Sequence, residues 1–286
     1  MKNKEYKNKL IIFVAFILIL GSSLNASITR SELDIQIYIN DDGSAHVIEN
    51  NEYQISGEDS INNYQNGLKS FSGGQENRND ITYWLSTIGS NYAPSYHIDA
   101  DTGQENVVIT PSQITYKSVT EQTARAKITV EYDVLSIQDG DQMKGVFFVR
   151  KSKPRTMQYI LNADAIRFEK NEGGDFFPPE NTVIEFIFPK RIMLESVKPS
   201  PNNLNQNSFP IYNIESVKWD DETLLPKFSI VFTIEQRLDE EMADFFRNIQ
   251  DNIIDIITGQ DGWADIIIAL TIVGSYVAMQ KINSKE

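Results

Sequence analysis

The most restrictive feature of this chain is a two-residue alternation of apolar and polar side chains, repeated in many short runs. Leu33, Ile35, Ile37 and Ile39 occupy every second position, as do Ala126, Ile128, Val130, Tyr132 and Val134, and again Phe228, Ile230, Phe232 and Ile234. Successive side chains of a strand point to opposite faces, so this period predicts strands with one buried face. Asn40-Asp-Asp-Gly43 separates the first run from its return, Ser44 to Ile55, and predicts a hairpin whose turn needs positive φ angles. Further strands are predicted at 92–98, 106–110, 113–118, 123–137, 146–149, 157–168, 182–188, 192–198, 212–219 and 227–236. Short strands at even spacing predict a mainly β fold, an antiparallel, sandwich-like body. One short helix is predicted over Arg78–Ile88, where Ile81, Trp84, Leu85 and Ile88 share a face. Ser56 to Asn79 is polar and rich in Gly, Asn and Ser, and reads as a loop with a turn of helix near Ile61–Leu68. Pro199 to Asn207 reads as unstructured.

The two ends differ from this body. Residues 1–26 have a lysine-rich start, the apolar run Leu10–Leu20 and small residues before Ala26, the layout of a signal peptide or an N-terminal anchor. At the other end Leu238, Met242, Phe245, Ile249, Ile253 and Ile256 recur at steps of three and four, which predicts an amphipathic helix over 238–258. Gly259-Gln-Asp-Gly262 stops it. The segment from Trp263 to Gln280 then reads as a transmembrane helix, with Trp263 at one interface, Lys281 at the other and a tail at 281–286. A helix of that length spans about 27 Å, a little under the hydrocarbon core. Lysines at both ends predict one topology: residues 27–237 outside, the C-terminus in the cytoplasm. A subdivision of the body near 138–144 is also open.

Charge limits the partners. The chain carries −14, and without residues 1–26 it keeps 22 basic and 39 acidic side chains. Such a body repels nucleic acid. It has no cysteine, which removes disulfides and thiolate metal sites. Against this acidic background Arg150, Lys151, Lys153 and Arg155 fall within six positions, a basic turn that suits an anionic cell-wall polymer, lipid headgroups or an acidic partner. The acidic polar face of 238–258 disfavours an anionic membrane surface, so Met242, Phe245, Ile249 and Ile253 are read as a face for a partner helix or for the body itself.

Signatures of chemistry are sparse. The two histidines, His46 and His97, stand apart from any metal spacing and read as exposed or half-buried strand residues rather than general bases. No G-x-S-x-G elbow is present, and Gly140 and Gly145 have Val146 and Phe147 where a phosphate loop needs lysine and hydroxyl. A serine–histidine–carboxylate set leaves no mark in sequence, since its members need not be neighbours. Asp99 to Glu105 has carboxylates around a glycine but the wrong spacing for a calcium loop, and reads as a turn between strands. No cofactor or metal is read from the sequence.

The opening hairpin, Leu33 to Glu49, and the segment Pro178 to Lys190 resemble those of uncharacterised prokaryotic, especially archaeal, membrane-tethered ectodomain families. That resemblance implies a signal, a β-rich body and a C-terminal helix, and brings no activity with it. The expectation is therefore a membrane-anchored extracytoplasmic binding or envelope-assembly module without catalytic activity, its partners the bilayer and a membrane-protein or cell-envelope component. Two alternatives are an exported carboxylate-dependent hydrolase of a surface polymer and an accessory subunit of a membrane complex.

Overall fold

The structure is a computed structural model that describes residues 27–73, 80–116, 123–153, 155–204, 208–220, 224–235 and 271–273. The chain divides into two units, one of residues 1–152 and 157–234 and one of residues 153–156 and 235–286. The first unit is mainly β, with two sheets and short helices. In the second, Arg155 lies 3.9 Å from Glu235, and Thr271–Val273 are helical and exposed. The proposed signal, the amphipathic helix, the tail and all but three residues of the proposed span lie outside the described residues. Among the described residues no helix is long and apolar enough to cross a membrane.

The predicted hairpin forms. Strand β1 (Ser27–Ile39) pairs antiparallel with β2 (Ala45–Ser56), and Asn40 N–H donates to Ser44 O across the turn at 2.9 Å. Gly43 has φ +81°, and an added Cβ there would lie 2.6 Å from the Phe147 carbonyl oxygen. The turn therefore needs glycine twice over, for its backbone angle and for its close approach to the second sheet. The first sheet continues from β2 to β5 (Thr123–Val134), which is flanked by β3 (Gln104–Pro111) and β4 (Thr115–Tyr116). On the other side β1 pairs with β12 (Thr182–Ile187), and β12 with β15 (Ser216–Asp220). The β1–β12 pair is parallel, so the sheet is mixed and departs from the antiparallel expectation. A parallel partner distant in sequence cannot be reached by a hairpin. The second sheet has the order β14 (Ile211–Tyr212), β13 (Ile192–Lys198), β16 (Ser229–Glu235), β9 (Thr156–Leu161), β8 (Phe147–Lys153), β7 (Gln142–Lys144), β6 (Ile137–Asp139). A two-residue pair, β10 (Glu169–Lys170) with β11 (Phe176–Phe177), stands apart from both sheets.

Alternation sets the core. Leu33, Ile35 and Ile37 of β1 are fully buried, as are Ile128, Val130 and Tyr132 of β5. At one end of this face the second sheet covers them through aromatic contacts: Phe147 meets Phe186 edge-on at 6.1 Å, and within the second sheet Phe232 stacks on Tyr159 at 4.5 Å. At the other end lie helices. The stretch read as a loop forms α1 (Glu58–Gly73), sixteen residues whose Ile61, Tyr64, Leu68 and Phe71 are buried. Its composition is poor in helix formers, and burial of that stripe against Trp84 and the sheet outweighs propensity. Glu58 and Asp59 in its first turn favour the positive end of the helix dipole. The helix expected over 78–88 begins as a 3₁₀ turn, Ile81–Trp84, capped by Asp80, and ends in the four-residue α2 (Leu85–Ile88).

Two other expectations are corrected. Residues 92–98 form no strand; they are irregular apart from one bridge, Ile98 to Ile166. The described part of 199–207 is ordered against the edge of the first sheet. Asn203 accepts from Lys218 N–H at 2.9 Å and donates to Ser216 O at 3.0 Å, while Asn202 N–H donates to Lys218 O at 2.7 Å. These asparagines occupy the hydrogen bonds that an added strand would take, and so shield the β15 edge.

Candidate functional site

The alternation of β2 places Val47, Glu49, Asn51 and Tyr53 on the buried face, so two polar side chains stand where the period calls for apolar ones. Both Glu49 and Asn51 are fully buried. The reason is the irregular segment 92–100, which crosses this face and presents backbone groups that no ladder can satisfy. Tyr53 Oη donates to Tyr92 O at 2.9 Å. His97 N–H donates to Glu49 Oε1 at 2.8 Å, and Ile98 N–H donates to the Tyr132 hydroxyl at 3.3 Å. Tyr132 in turn donates to Glu49 Oε1 at 2.5 Å, and His97 Nδ1 lies 2.5 Å from Glu49 Oε2. Glu49 thus accepts three hydrogen bonds within a water-excluded core, the condition under which a buried carboxylate is tolerated.

The surrounding groups follow from that charge. Burial, then the negative Glu49, pushes the Tyr132 hydroxyl well above its ordinary value and keeps it a donor. Burial pulls the Arg30 guanidinium below its usual value, opposed by nearby Tyr53 and Glu49. Arg30 donates to Asn51 Oδ1 at 3.4 Å, while Asn51 Nδ2 has no partner among the described residues. On the outer side, His97 Nε2 lies 3.3 Å from the exposed Ser95 Oγ. The Phe168 ring packs 5.6 Å from the imidazole.

A cleft adjoins the same segment. Arg167 N–H donates to His97 O at 2.9 Å and Asp99 N–H to Ala165 O at 2.8 Å, a short pairing that carries 97–101 alongside 165–167. Beyond it lies a cavity of about 410 Å³ whose lining includes Lys144, Arg167 and Lys170 together with Asp101 and Asp164. Arg167 is paired with Asp101 and sits 3.8 Å from Asp99; the Asp101 hydrogen bond raises its pKa. Lys144 and Lys170 have no ion-pair partner among the described residues, and Lys170 lies 5.1 Å over the Phe176 ring. The acidic stretch Asp99–Glu105 is therefore a turn whose two aspartates are matched by an arginine. Among the described residues no group of three or more acidic or imidazole side chains is arranged to hold a metal.

The basic cluster read from sequence is strand rather than turn as far as Lys153, because β8 runs through Arg150, Lys151 and Lys153. Arg150 donates to Gln158 Oε1 at 3.0 Å, and Gln158 Nε2 to Glu195 Oε2 at 3.1 Å, so this arginine belongs to a polar row on the second sheet. Lys151 and Lys153 are exposed, and Arg155 has φ +63°. Met242, Phe245, Ile249, Ile253, Trp263 and Lys281 lie outside the described residues.

Of the two histidines, His46 fits its reading: it is half-exposed in β2, between Glu131 at 3.1 Å and Asp133 at 2.7 Å. His97 does not, being buried and outside any strand. One signal pointed to the buried centre, the parity of Glu49 and Asn51, which are in phase with Val47 and Tyr53. The cleft left only the basic pair Arg167 and Lys170 as a local mark, because Lys144 reaches it from the distant strand β7. No protein-family model and no curated protein sequence matches this chain.

Proposed function

We propose that this protein is an extracytoplasmic, membrane-anchored binding module for an anionic polymer of the cell envelope, held through the cleft of Lys144, Arg167 and Lys170. The observation that carries the reading is the cleft itself: Lys144 and Lys170, with no ion-pair partner among the described residues, line one cavity beside the aspartate-paired Arg167 in a chain of net charge −14. Lysine and arginine grip phosphate or carboxylate through charge-assisted hydrogen bonds, and two lysines free of ion pairs in a negative field select ligands that repeat the charge at a tolerable spacing. The topology rests on the sequence ends, a lysine-led apolar run and an apolar C-terminal segment followed by lysines.

Two experiments test it. Titration calorimetry with a glycerol-phosphate oligomer and with polyglutamate should show salt-sensitive binding that the Lys144→Glu, Lys170→Glu double variant removes. Binding that survives this double reversal would overturn the site, and no binding of either polymer would overturn the ligand class. The topology is accessible because the chain has no cysteine. A single Val108→Cys should react with an impermeant maleimide on intact cells and Ser284→Cys only after lysis. The reverse pattern would sink the orientation.

A further inference from the structure

The geometry points to a nucleophilic serine at the mouth of the buried centre: we infer that Ser95, His97 and Glu49 form a charge-oriented set able to cleave acyl esters. The order of the set follows from hydrogen-bond bookkeeping. Glu49 Oε2 accepts from His97 Nδ1 at 2.5 Å, which places the neutral imidazole's proton on Nδ1 and leaves the lone pair on Nε2. That nitrogen faces Ser95 Oγ at 3.3 Å. Tyr132 and the His97 backbone hold the carboxylate from two other directions, and Phe168 packs on the imidazole, so the base is fixed from behind. Ser95 is exposed while His97 and Glu49 are buried, so a substrate can reach the hydroxyl while the carboxylate stays out of water. Docking the segment on the sheet requires His97 and Glu49, but it does not require a hydroxyl on the outer nitrogen. These are the roles of nucleophile, base and orienting carboxylate. The backbone N–H groups of Ser95 and Tyr96 have no acceptor among the described residues, and they adjoin the hydroxyl in the chain as donors for a developing oxyanion.

The step is an acyl transfer. Ser95 Oγ bonds to the ester carbonyl carbon while His97 Nε2 takes the hydroxyl proton; the C–O bond to the alcohol then breaks and that proton leaves with the alcohol. Water attacks the acyl-serine, His97 takes its proton and returns it to Ser95 Oγ, and the carboxylic acid departs. Glu49 touches no substrate and positions His97. The substrate class, O-acyl esters on the anionic polymer, rests on the cleft reading, because residues 97–99 pair with 165–167 and lead into the cleft. The nucleophile itself does not rest on that reading.

The test is active-site phosphonylation of the purified full-length chain in mild detergent with diisopropyl fluorophosphate. Ser95 Oγ bonds to phosphorus, His97 Nε2 takes the hydroxyl proton and fluoride leaves. One adduct is expected, mapped by tandem mass spectrometry to the Ser95 peptide, absent in Ser95→Ala and slowed about 100-fold or more in His97→Ala. Since His97→Ala can unfold, Ser95→Cys supplies a second reading as the chain's single thiol. Its alkylation by iodoacetamide at pH 7 should be at least about tenfold faster than that of an exposed Val108→Cys, because a neighbouring imidazole raises the thiolate fraction. No adduct, an adduct elsewhere, or a Ser95→Cys thiol that reacts no faster than the Val108→Cys thiol overturns the assignment. The reagent is small and neutral, so the Lys144→Glu, Lys170→Glu variant should label like the parent even where polymer binding is lost. Failure of the cleft and failure of the serine are thereby distinguishable.

Discussion

The inner face of the first sheet comes from a single strand alternation, yet it is apolar at one end and polar at its middle. At the apolar end the partner is another sheet, whose backbone is satisfied by its own ladder, so the facing residues need only fill space. Phe186, Trp219 and Phe228 meet there with centroids 4.9–6.1 Å apart. At the middle the partner is the irregular segment 92–100, whose amides arrive without acceptors. Glu49 and Tyr132 supply them, at positions where the same alternation elsewhere supplies Ile35 and Val130. The difference shows that a polar residue in phase with a buried face marks where non-repetitive backbone lies on a sheet.

The largest expected effects break each region in turn. Phe232→Ala removes a ring that stacks on Tyr159 and meets Phe147 and Phe188, and should cost about 3–5 kcal/mol in urea unfolding. Glu49→Ala leaves three buried donors without an acceptor and should cost a similar amount, about 3–5 kcal/mol. Conservative partners then separate the causes. Phe232→Leu should recover much of the loss, because what matters there is filled volume. Glu49→Gln keeps volume and shape but turns a donor toward donors, and should still cost about 1–3 kcal/mol. If Glu49→Gln proved silent and Phe232→Leu severe, the contrast between the two regions would be wrong.

These two regions were not equally legible. The apolar one follows from period alone: Leu33 to Ile39, Ala126 to Val134 and Ile230 to Ile234 lie in strands with the expected faces buried. Strand existence is a local property, and the hairpin at Asn40–Gly43 is specified by four residues. The partner of β1 on its far side was not legible, because parallel pairing with β12 is decided far along the chain by which faces remain to be covered. Helix α1 was hidden for another reason. Its stripe of Ile61, Tyr64, Leu68 and Phe71 has helical spacing, but Gly, Asn and Ser between those positions mask it in any reading weighted by composition. The buried centre was half visible, through the parity of Glu49; the segment that uses it has no period, so His97 looked like a strand residue. The cleft was hidden, since Arg167 and Lys170 are neighbours in sequence but Lys144 joins them only in the fold.

A smaller effect is expected where the hairpin tip meets the second sheet, a contact made by backbone rather than by rings or carboxylates. Gly43 O accepts from Phe147 N–H at 3.1 Å, and Gly145 is so close that its added Cβ would lie 2.5 Å from Gly43 O. Gly43→Ala should cost about 1–3 kcal/mol from its positive φ alone, with the overlap against Phe147 O added to it. Amide hydrogen exchange locates the damage: protection should fall at Phe147 and stay high at His97. Loss at both would mean that the sheet packing and the buried centre form one cooperative unit rather than two regions with separate causes.

The smallest effect sharpens the comparison by taking it to the surface. Asp42, in the same turn, accepts from Ser44 Oγ at 2.6 Å, Ser44 N–H at 3.0 Å and Ser136 Oγ at 2.9 Å, an arrangement like that of Glu49 but open to solvent. Partial burial opposes its charge, and the hydrogen bonds outweigh burial, so its pKa lies below the usual carboxylate range. A depressed folded value means that its stabilisation is complete above the unfolded carboxylate value of about 3.9 and is lost as pH falls through the folded one. Asp42→Asn should therefore lower the urea midpoint slightly at pH 7 and converge with the parent near pH 2. A gap that persists unchanged at low pH would show that the turn depends on the shape of its hydrogen bonds and not on charge. Solvent screening keeps this term small, whereas Glu49, with the same number of donors and no water, has no such relief.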